Sequence, residues 1–427
     1  MGYFDDCSSE DRFMIRQKYF DKCVVSDWDE RRIVAVVTPG IESDDDFIIE
    51  TLARHIDSVP ADALAIEVSS DGELVSFSSD VADDWTMAPF YPSTSDFPPG
   101  TETVRREDLT EISRLGVQTD LCEYNTTDGK THRVAFKYYT NENQVPIFWH
   151  ELNCVLKIPK HPNIVPFDRL VIDKLDGEDK VVGFTAPFVE GGTVDESPSR
   201  VFKLKYLQQL LNCIDYLNLQ FGIVHGDVCG RNLLINDQTD NVQLFDFNMA
   251  AKLGWEGDSS EHGNAAFAFD EDRNDVKCVV FTLYEIITHD LHLREEYLPN
   301  ELDISILLDL ETWAPHPDVD FDADPAEYRR LLEDWLVVRR DIDKKITHFS
   351  KAARALEWPP LPKFERAARM RQELILQGSG DFLKWQRPGS KKLRLTQGQR
   401  LLATGEVVND SPSDAQNNQK RKRGPED

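Results

Sequence analysis

Residues 223–236 read IVHGDVCGRNLLIN and decide the fold class more than any other stretch of the 427-residue chain. Three polar side chains stand out in it: His225, Asp227 and Asn232. An aspartate in such a loop can accept the proton of an attacking hydroxyl, and an asparagine further along can turn back to coordinate Mg²⁺. Taken by itself, Asp227 is explained equally well as a loop or capping residue. The stretch therefore indicates phosphate chemistry only if its partners follow elsewhere in the chain.

A second segment, VQLFDFN at 242–248, reads as a strand that ends at Asp246. A short hairpin through the preceding DQTD turn would bring that carboxylate opposite Asn232. Carboxylate and amide oxygens suit Mg²⁺, which keeps water and phosphate oxygens as its remaining ligands. The two residues predict a site for a magnesium nucleotide rather than for a permanently enclosed metal.

An apolar strand, VAFK at 134–137, ends in Lys137, and Glu151 follows in a segment of helical character. An ion pair between these two side chains would hold the ammonium group against the phosphates of a nucleotide. Each residue alone would more often be a solvated surface charge. The pairing is a hypothesis that depends on the other motifs.

Taken in order, these segments resemble the eukaryotic protein kinase family over roughly residues 109–350. VAFK is similar to V-A-I-K, HGDVCGRN to the catalytic loop H-R-D-x-x-x-x-N, and the DFN of 246–248 to D-F-G. The details most resemble the divergent kinase-like proteins common in fungal genomes, in which HGD is familiar. The resemblance implies an α+β, bilobal, protein-kinase-like fold with a small β-rich N-lobe and a large helical C-lobe.

The resemblance and the composition together predict three parts of the chain. Residues 1–104 form an acidic N-terminal region with a small αβ layer and a proline-rich linker. Residues 105–375 form the kinase-like domain, with the N-lobe at about 105–190 and the C-lobe at about 191–375. Residues 376–427 are expected to be a disordered, basic C-terminal tail.

Within the N-terminal region, the apolar run IVAVV at 33–37 predicts a buried strand. Ser43 is a candidate N-cap for the helix that follows it. LAIEVSSDGELVSF alternates on either side of Asp71-Gly72, which predicts a hairpin turn. These elements together would form the small αβ layer.

The resemblance implies four catalytic residues. Asp227 would orient and deprotonate the acceptor hydroxyl, and Arg231 would offset the charge of the transition state. Lys137 would hold the nucleotide phosphates, with Glu151 keeping it in place. Cys229, at the usual catalytic-loop lysine position, is interpreted as a small buried residue rather than a nucleophile.

The same resemblance implies a set of ligand-binding residues. Asn232 and Asp246 would bind Mg²⁺, and FVEGGTV at 188–194 is similar to the hinge that contacts adenine through its backbone. Asp275, which opens the segment DVKCVVFTLYEIIT, would brace the backbone of the catalytic loop. The residues expected to bind ATP are Lys137, Gly116, Pro187 and Val189.

The sequence departs from the family pattern in the glycine-rich loop. The segment 115–124 keeps only Gly116, and Gln118 and Leu121 stand where the other glycines belong. Side chains hinder close approach of the backbone to phosphate, so weak nucleotide affinity is expected. Gly226 replaces the arginine that pairs with a phosphorylated activation loop, which predicts activity without that phosphorylation.

Two further departures follow the catalytic loop. Asn248 replaces the D-F-G glycine, and because asparagine tolerates left-handed backbone conformations the turn is expected to survive. The segment between Asn248 and Asp275 contains no A-P-E motif. In the family this segment normally docks the peptide substrate. The missing motif weakens any statement about the acceptor more than it weakens the nucleotide chemistry.

Three functions fit these motifs. The leading one is an ATP- and Mg²⁺-dependent kinase that phosphorylates Ser or Thr hydroxyls, and less readily Tyr hydroxyls, of an unidentified protein substrate. The alternative is a pseudokinase-type scaffold with weak or no phosphoryl transfer, which the altered glycine loop favours. The third is a small-molecule kinase of the aminoglycoside or choline kinase type, because those enzymes also carry HGD.

Composition limits the partners. Against 48 Lys and Arg stand 77 Asp and Glu, a formal charge of −29, so neither nucleic acid nor a membrane surface is expected to bind. The seven cysteines lack C-x-x-C spacing and no apolar run is long enough for a bilayer, which predicts an intracellular, cytoplasmic protein. The basic cluster Lys420–Arg423 is either a nuclear import signal or a solvated tail. Nothing in the sequence indicates the oligomeric state.

Overall fold

The computed structural model describes residues 12–409 apart from 29, 41–43, 61, 87–89, 141–143, 176, 197–199, 257–267, 357–358, 360–370, 377–382, 384, 386–398 and 403–406. The chain divides into two compact units. Unit 1 comprises Met1–Val145, Arg169–Thr185 and Pro362–Asp427, and unit 2 comprises Pro146–Asp168 and Ala186–Leu361. Within the described residues, no helix combines the length and the apolar character that crossing a membrane requires.

Unit 1 begins with a five-stranded sheet whose spatial order follows the chain. Its strands are β1 (Phe13–Lys18), β2 (Lys22–Asp27), β3 (Arg32–Val37), β4 (Ala65–Val68) and β5 (Leu74–Ser78). Strands β3 and β4 are parallel, since helix α1 (Asp45–His55) connects them, and the other neighbours are antiparallel. Helix α1 packs its apolar residues on one face of this sheet. The strand expected at 33–37 is β3, and the turn expected at Asp71-Gly72 joins β4 to β5.

Helix α1 is capped one residue later than the sequence suggested. Ser43 lies outside the described residues, and the N-cap is Asp44, whose Oδ1 accepts a hydrogen bond from the Phe47 N–H at 2.7 Å. A carboxylate in this position satisfies an unpaired backbone donor and interacts favourably with the helix dipole. The cap predicted at Ser43 is therefore wrong.

A six-stranded sheet forms the other strand-rich part of unit 1. In spatial order its strands are β6 (Thr103–Arg105), β10 (Arg169–Leu175), β11 (Glu178–Pro187), β9 (Thr131–Tyr138), β8 (Thr119–Asn125) and β7 (Thr110–Gly116). Strands β7, β8 and β9 follow one another as an antiparallel meander. Because successive side chains of a strand point to opposite faces, Lys137 lies on the face opposite to Phe136 and Tyr138.

Unit 2 is rich in helices. They are α2 (Val145–Lys157, whose first residue belongs to unit 1), α3 (Leu204–Asp215), α4 (Asp275–Thr288), α5 (His292–Glu296), α6 (Ser305–Leu308) and α7 (Pro325–Asp343). A π-helical turn, Tyr216–Phe221, continues α3. Helix α4 is buried on most sides, as its nearly continuous apolar sequence predicted, and α7 turns Tyr328 and Leu332 to the core.

Two pairs of short strands frame the catalytic-loop stretch of unit 2. Strand β12 (Ile223–Val224) pairs with β15 (Ala251–Lys252), and β13 (Leu233–Asn236) pairs with β14 (Asn241–Leu244). The DQTD turn joins β13 to β14, as predicted. The stretch 223–236 therefore begins in β12 and ends in β13.

Parts of the segment after residue 375 are described and belong to unit 1. Helix α8 (Arg371–Leu376) precedes them, and β16 (Gln399–Leu401) pairs with β17 (Val407–Asn409). Trp385 is only 6% exposed, and its indole N–H donates a hydrogen bond to the Tyr91 hydroxyl at 2.9 Å. The basic cluster at 420–423 lies outside the described residues, and the domain boundaries at 104 and 375 stay predictions.

Candidate active site

The catalytic loop, residues 225–232, is held by a carboxylate at the start of α4. Asp275 is fully buried; it accepts a hydrogen bond from the His225 N–H at 2.8 Å and one from the Gly226 N–H at 2.9 Å. The side-chain amide of Asn218, in the π-helical turn, donates to the same carboxylate at 2.8 Å. A buried carboxylate with three donors is satisfied and holds the backbone that supplies them. The bracing role that the resemblance implied for Asp275 is confirmed.

A histidine ties this loop to the strand that precedes Asp246. His225 is fully buried, and its Nε2 lies 2.8 Å from the carbonyl oxygen of Phe245. The Phe245 N–H in turn donates to the carbonyl oxygen of Asn232 at 3.3 Å. These contacts bring Asp227, Asn232 and Asp246 to the same end of the β13–β14 hairpin.

Asp227 is held by two neighbours in the loop. Arg231 Nη2 lies 3.0 Å from each of its carboxylate oxygens, and Asn232 Nδ2 donates to its Oδ2 at 2.9 Å and to its backbone oxygen at 2.8 Å. The Asp227 side chain is 22% exposed and the Arg231 side chain 64% exposed. A carboxylate held in this way has one fixed orientation and remains accessible to a hydroxyl from solvent.

The backbone at Asp246 is in a left-handed conformation, with φ 64° and ψ 71°. Such a conformation costs a non-glycine residue about 1–2 kcal/mol, and it is retained where the surroundings determine it, often at functional sites. Asn248 lies in the 3₁₀ turn that follows, Phe247–Met249. The residue with left-handed backbone is therefore Asp246. It is not Asn248, the residue expected to tolerate that conformation in place of the D-F-G glycine.

The donors at this end of the hairpin fit Mg²⁺. Because Nδ2 of Asn232 faces Asp227, its amide oxygen points away from that residue. Asn232 immediately precedes β13 and Asp246 follows β14, so the backbone places both residues at the same end of the hairpin. Within the described part of the chain, no group of three or more His, Cys, Asp or Glu side chains is arranged to hold a metal ion. An ion bound by one carboxylate and one amide oxygen needs water and phosphate oxygens as well, which is the usual environment of Mg²⁺.

The predicted residues of unit 1 lie on β7 and β9, the two strands that flank β8. Lys137 is the penultimate residue of β9 and pairs with Thr119 of β8, while Gly116 ends β7. In the turn between β7 and β8, Gln118 has φ 58°, and its side-chain oxygen accepts a hydrogen bond from Gln144 Nε2 at 2.6 Å. Gln118 thus takes the left-handed turn position and makes an amide pair of its own.

The remaining predicted residues belong to unit 2. Glu151 lies in α2 and is 3% exposed. Lys137 belongs to unit 1, and the pairing of the two side chains stays a prediction. Pro187 ends β11, and Val189 follows it. Beyond Val189, the N–H of Val194 donates to the backbone of β13 at 2.9 Å. The hinge-like segment therefore leads directly to the hairpin that carries the site.

Two residues beside the catalytic loop could not be predicted from the sequence. Arg294 of α5 donates to the backbone oxygen of Val228 at 3.3 Å, and its Nε lies 2.7 Å from Glu285 Oε1. Burial raises the pKa of Glu285 to about 7. Both side chains line a cavity of about 520 Å³ that reaches Cys229 and Arg231. No motif marks Arg294 and Glu285, because their position beside the loop follows only from how α4 and α5 pack.

The buried thiol of Cys229 is a poor nucleophile. Its burial raises the pKa to about 12, and the same cause raises that of Cys278 in α4 to about 12. A thiol is reactive mainly as the thiolate, which such pKa values suppress at neutral pH. Cys229 therefore matches its interpretation as a small buried residue, and Cys278 is half-buried.

Gly226 cannot take a side chain without moving the backbone. Its φ is 78°, and a Cβ would lie 2.5 Å from the carbonyl oxygen of Met249. We expect Gly226→Ala to lower the free energy of unfolding by about 3 kcal/mol, through left-handed strain and a backbone clash. Gly129→Ala is the control, since Gly129 has φ 80° with open space around it, and should cost about 1 kcal/mol. Equal losses in denaturant titrations of the two variants would mean that the clash is relieved elsewhere.

A buried histidine should make stability depend on pH. His150 of α2 is 5% exposed and hydrogen-bonded to the Ala250 carbonyl, and burial lowers its pKa to about 4. The unfolded chain binds that proton from about pH 6.5 downwards, so the native state loses stability as the pH falls from 6.5 towards 4. We expect a loss of about 2 kcal/mol between pH 7 and pH 5 from this group.

Urea titrations at the two pH values measure this loss. His150→Gln should remove the share of this pH-dependent loss of unfolding free energy that His150 contributes, because glutamine keeps a donor for Ala250 and does not titrate. His132→Gln, a change at a half-buried histidine of β9, should leave the difference as large as in the wild type. An unchanged difference in His150→Gln would show that other groups carry the pH dependence.

The geometry agrees with a comparison to known families. Residues 116–269, a little over a third of the chain, match the family model described as protein tyrosine and serine/threonine kinase. This stretch includes β8, β9, the catalytic loop and Asp246. Together with the strand-rich and helix-rich parts described above, the match defines the fold class as α+β, bilobal and protein-kinase-like, as the sequence predicted.

Proposed function

We propose that the protein is an ATP- and Mg²⁺-dependent protein kinase that phosphorylates Ser or Thr hydroxyls, and less readily Tyr, of a protein substrate. The observation that carries this proposal is the arrangement of Asp227, Asn232 and Asp246 at one end of the β13–β14 hairpin. A general base and two oxygen ligands for Mg²⁺ are the parts that phosphoryl transfer requires of this region. The kinase family match over the same residues supports it.

In this proposal Asp227 accepts the proton of the acceptor hydroxyl. The hydroxyl oxygen forms its bond to the γ-phosphorus while the bond from that phosphorus to the bridging oxygen breaks, and ADP leaves with the electron pair. When bound between Asn232 and Asp246, Mg²⁺ supplies positive charge next to the phosphate oxygens. The hydrogen bonds from Arg231 and Asn232 keep the Asp227 carboxylate oriented before the acceptor arrives.

The other predicted residues keep their roles in the proposal. Lys137 and Gly116 contact the phosphates, and Glu151 orients Lys137. The backbone of Pro187 and Val189 contacts the adenine. Arg231, whose guanidinium already pairs with the base, adds positive charge close to the transferred group.

A second candidate is a pseudokinase-type scaffold, and one observation favours it. Gln118 occupies the turn between β7 and β8 and pairs its amide with Gln144. A side chain in this turn leaves less room for phosphate than glycine would. On this candidate the fold binds nucleotide weakly or not at all and serves as a platform for a protein partner.

The purified full chain, γ-labelled ATP, Mg²⁺ and generic acceptor proteins test the two candidates. We expect transfer of label to the acceptors that EDTA abolishes, and MgATP binding by calorimetry with a weak dissociation constant. MgATP binding with no transfer of label, either to an acceptor protein or to the protein itself, would favour the scaffold. Absence of MgATP binding would refute the kinase proposal.

A reporter fusion with and without residues 416–427 tests the cytoplasmic location and nuclear import through the basic cluster.

A further inference from the structure

An arginine of the N-terminal five-stranded sheet reaches the six-stranded sheet of the same unit. Arg31 lies in the turn between β2 and β3 with φ 52°, a backbone conformation that side chains other than glycine rarely adopt. Its side chain is 8% exposed. A buried arginine on a strained backbone is retained where specific contacts hold it.

The guanidinium of Arg31 contacts three adjacent strands of the second sheet. Its Nη2 lies 2.9 Å from Glu111 Oε2 on β7 and also donates to Asp120 Oδ2 on β8. Its Cζ lies 4.7 Å from the ring centroid of Tyr138 on β9. One side chain therefore links β7, β8 and β9, although Asp120 is 89 residues away along the chain.

The two carboxylates depend on a nearby cation. The Asp120 side chain is 1% exposed and the Glu111 side chain 14% exposed. Buried carboxylates are stable as ions only when positive charge and hydrogen-bond donors surround them. Arg31 supplies both, and its planar fork suits two acceptors better than a lysine would.

The strands that Arg31 links carry the proposed phosphate contacts. Gly116 ends β7 and Lys137 lies in β9, next to Tyr138. In the antiparallel register Asp120 pairs with Phe136, and Lys137 pairs with Thr119. Side chains of paired residues share a face, so Asp120 and Tyr138 lie on one face and Lys137 on the other. Arg31 thus acts on the face opposite to the one from which Lys137 projects.

The turn that follows Gly116 is tied to the same contacts. The Tyr138 N–H donates to the carbonyl oxygen of Gln118 at 3.0 Å. The ring of Trp385 stacks on Tyr138 with centroids 5.0 Å apart. The position of the β7–β8 turn therefore depends on Tyr138, which Arg31 and Trp385 hold in place.

We propose that Arg31 is a positioning residue for the nucleotide site, and that the N-terminal αβ layer is a built-in support of the phosphate-binding strands. Arg31 does not touch the nucleotide; it holds β7, β8 and β9 in the arrangement that presents Gly116 and Lys137. The inference rests on the proposed function for those two residues. It assigns the acidic N-terminal region a role in nucleotide affinity rather than that of a separate module.

The test compares full-length variants at two buried ion-pair sites. Arg31→Met combined with Glu111→Gln and Asp120→Asn removes the ionic link between Arg31 and strands β7 and β8. Arg31→Lys keeps the charge and loses the fork. The control is Arg12→Met with Asp27→Asn, a second buried pair of the five-stranded sheet, in which Arg12 Nε lies 2.9 Å from Asp27 Oδ1. Calorimetry with MgATP, steady-state kinetics and hydrogen–deuterium exchange are measured for each.

We expect the triple variant to raise the MgATP dissociation constant by about tenfold, with kcat at saturating ATP within about twofold of wild type. Arg31→Lys should recover most of the affinity, and the Arg12 control should lower the melting temperature without changing the dissociation constant. Deuterium uptake in residues 114–125 should rise in the triple variant alone.

Two results would overturn the inference. One is an unchanged dissociation constant in the triple variant, and the other is an equal rise in the Arg12 control, which would make the effect one of general stability. A wild type that binds no MgATP refutes the proposed function instead. Deuterium uptake then decides whether Arg31 supports strands β7–β9. Equal uptake of residues 114–125 in the wild type and the triple variant would refute that support, whereas a rise in the triple variant alone would uphold it.

Discussion

Replacing Asp227 with asparagine is expected to lower the turnover number for phosphoryl transfer by about 100- to 10,000-fold, the contribution of a positioned general base. A neutral amide oxygen cannot take the proton of the acceptor hydroxyl at neutral pH. The charge is removed from a group that lies 3.0 Å from Arg231 Nη2 and 2.9 Å from Asn232 Nδ2. The amide can still accept one of these hydrogen bonds, so the loop should keep its path and MgATP binding should stay within about twofold of wild type.

Steady-state kinetics with labelled ATP, and calorimetry with MgATP, measure the two quantities separately. Asp237→Asn is a suitable control, because Asp237 lies in the turn of the same hairpin, is 60% exposed and pairs with Arg200. It should change neither quantity. Full turnover in Asp227→Asn would show that Asp227 is not the base. A large loss of MgATP binding in that variant would mean that the substitution acts through the loop structure and not through the proton.

Replacing Asp275 with alanine is expected to lower the free energy of unfolding by about 3–5 kcal/mol, the usual cost of breaking a buried charged network. The variant leaves the N–H groups of His225 and Gly226 and the amide of Asn218 without their acceptor. Unsatisfied buried donors retain their full desolvation penalty. The catalytic loop should lose its fixed path as well, so turnover should fall together with stability.

The Asp275 network extends to helix α7. Arg339 of α7 is 3% exposed and donates to Asn218 Oδ1 at 2.8 Å and to Asp215 at 2.6 Å. The catalytic loop is thus connected to α7 through Asp275, Asn218 and Arg339. We expect the effects of Asp275→Ala and Asn218→Ala to be non-additive, because the two residues share hydrogen bonds.

Denaturant titration measures the loss of stability, and labelled ATP measures the loss of turnover. Asp272→Ala is the control, since Asp272 precedes α4 by a few residues and its side chain is 44% exposed. It should cost less than about 1 kcal/mol. If Asp275→Ala does not fold, Asp275→Asn provides the same test with one acceptor retained. A stable, fully active Asp275→Asn variant would mean that the loop is held by other contacts.

Local features of the fold were predictable because they depend on a few neighbouring residues. The apolar sequence of α4 predicted a buried helix, and the alternation around Asp71-Gly72 predicted the β4–β5 hairpin. The DQTD segment predicted the hairpin that is now seen as β13–β14, with Asn232 and Asp246 at its same end. In each case the signal is the period of a helix or strand, or the length of a turn.

Details of backbone geometry were harder to predict. The turn was expected to survive at Asn248 because asparagine tolerates left-handed backbone, but the residue with the left-handed conformation is Asp246. The cap of α1 is Asp44 and not Ser43. Asp, Asn and Ser have similar preferences at such positions, so local sequence does not distinguish between adjacent candidates.

The amino-acid sequence by itself determined the fold class, the catalytic-loop motif and the residue types that the proposed chemistry needs. The resemblance also implied that Asp275 braces the loop, but only the tertiary structure decided which further side chains support these parts: Asn218 and Arg339 behind Asp275, and Arg31 behind strands β7–β9. The physical reason is that a buried ion pair or hydrogen bond depends on which distant groups lose their water together. That pairing has no period or spacing along the chain, and it exists only after the helices and sheets have packed.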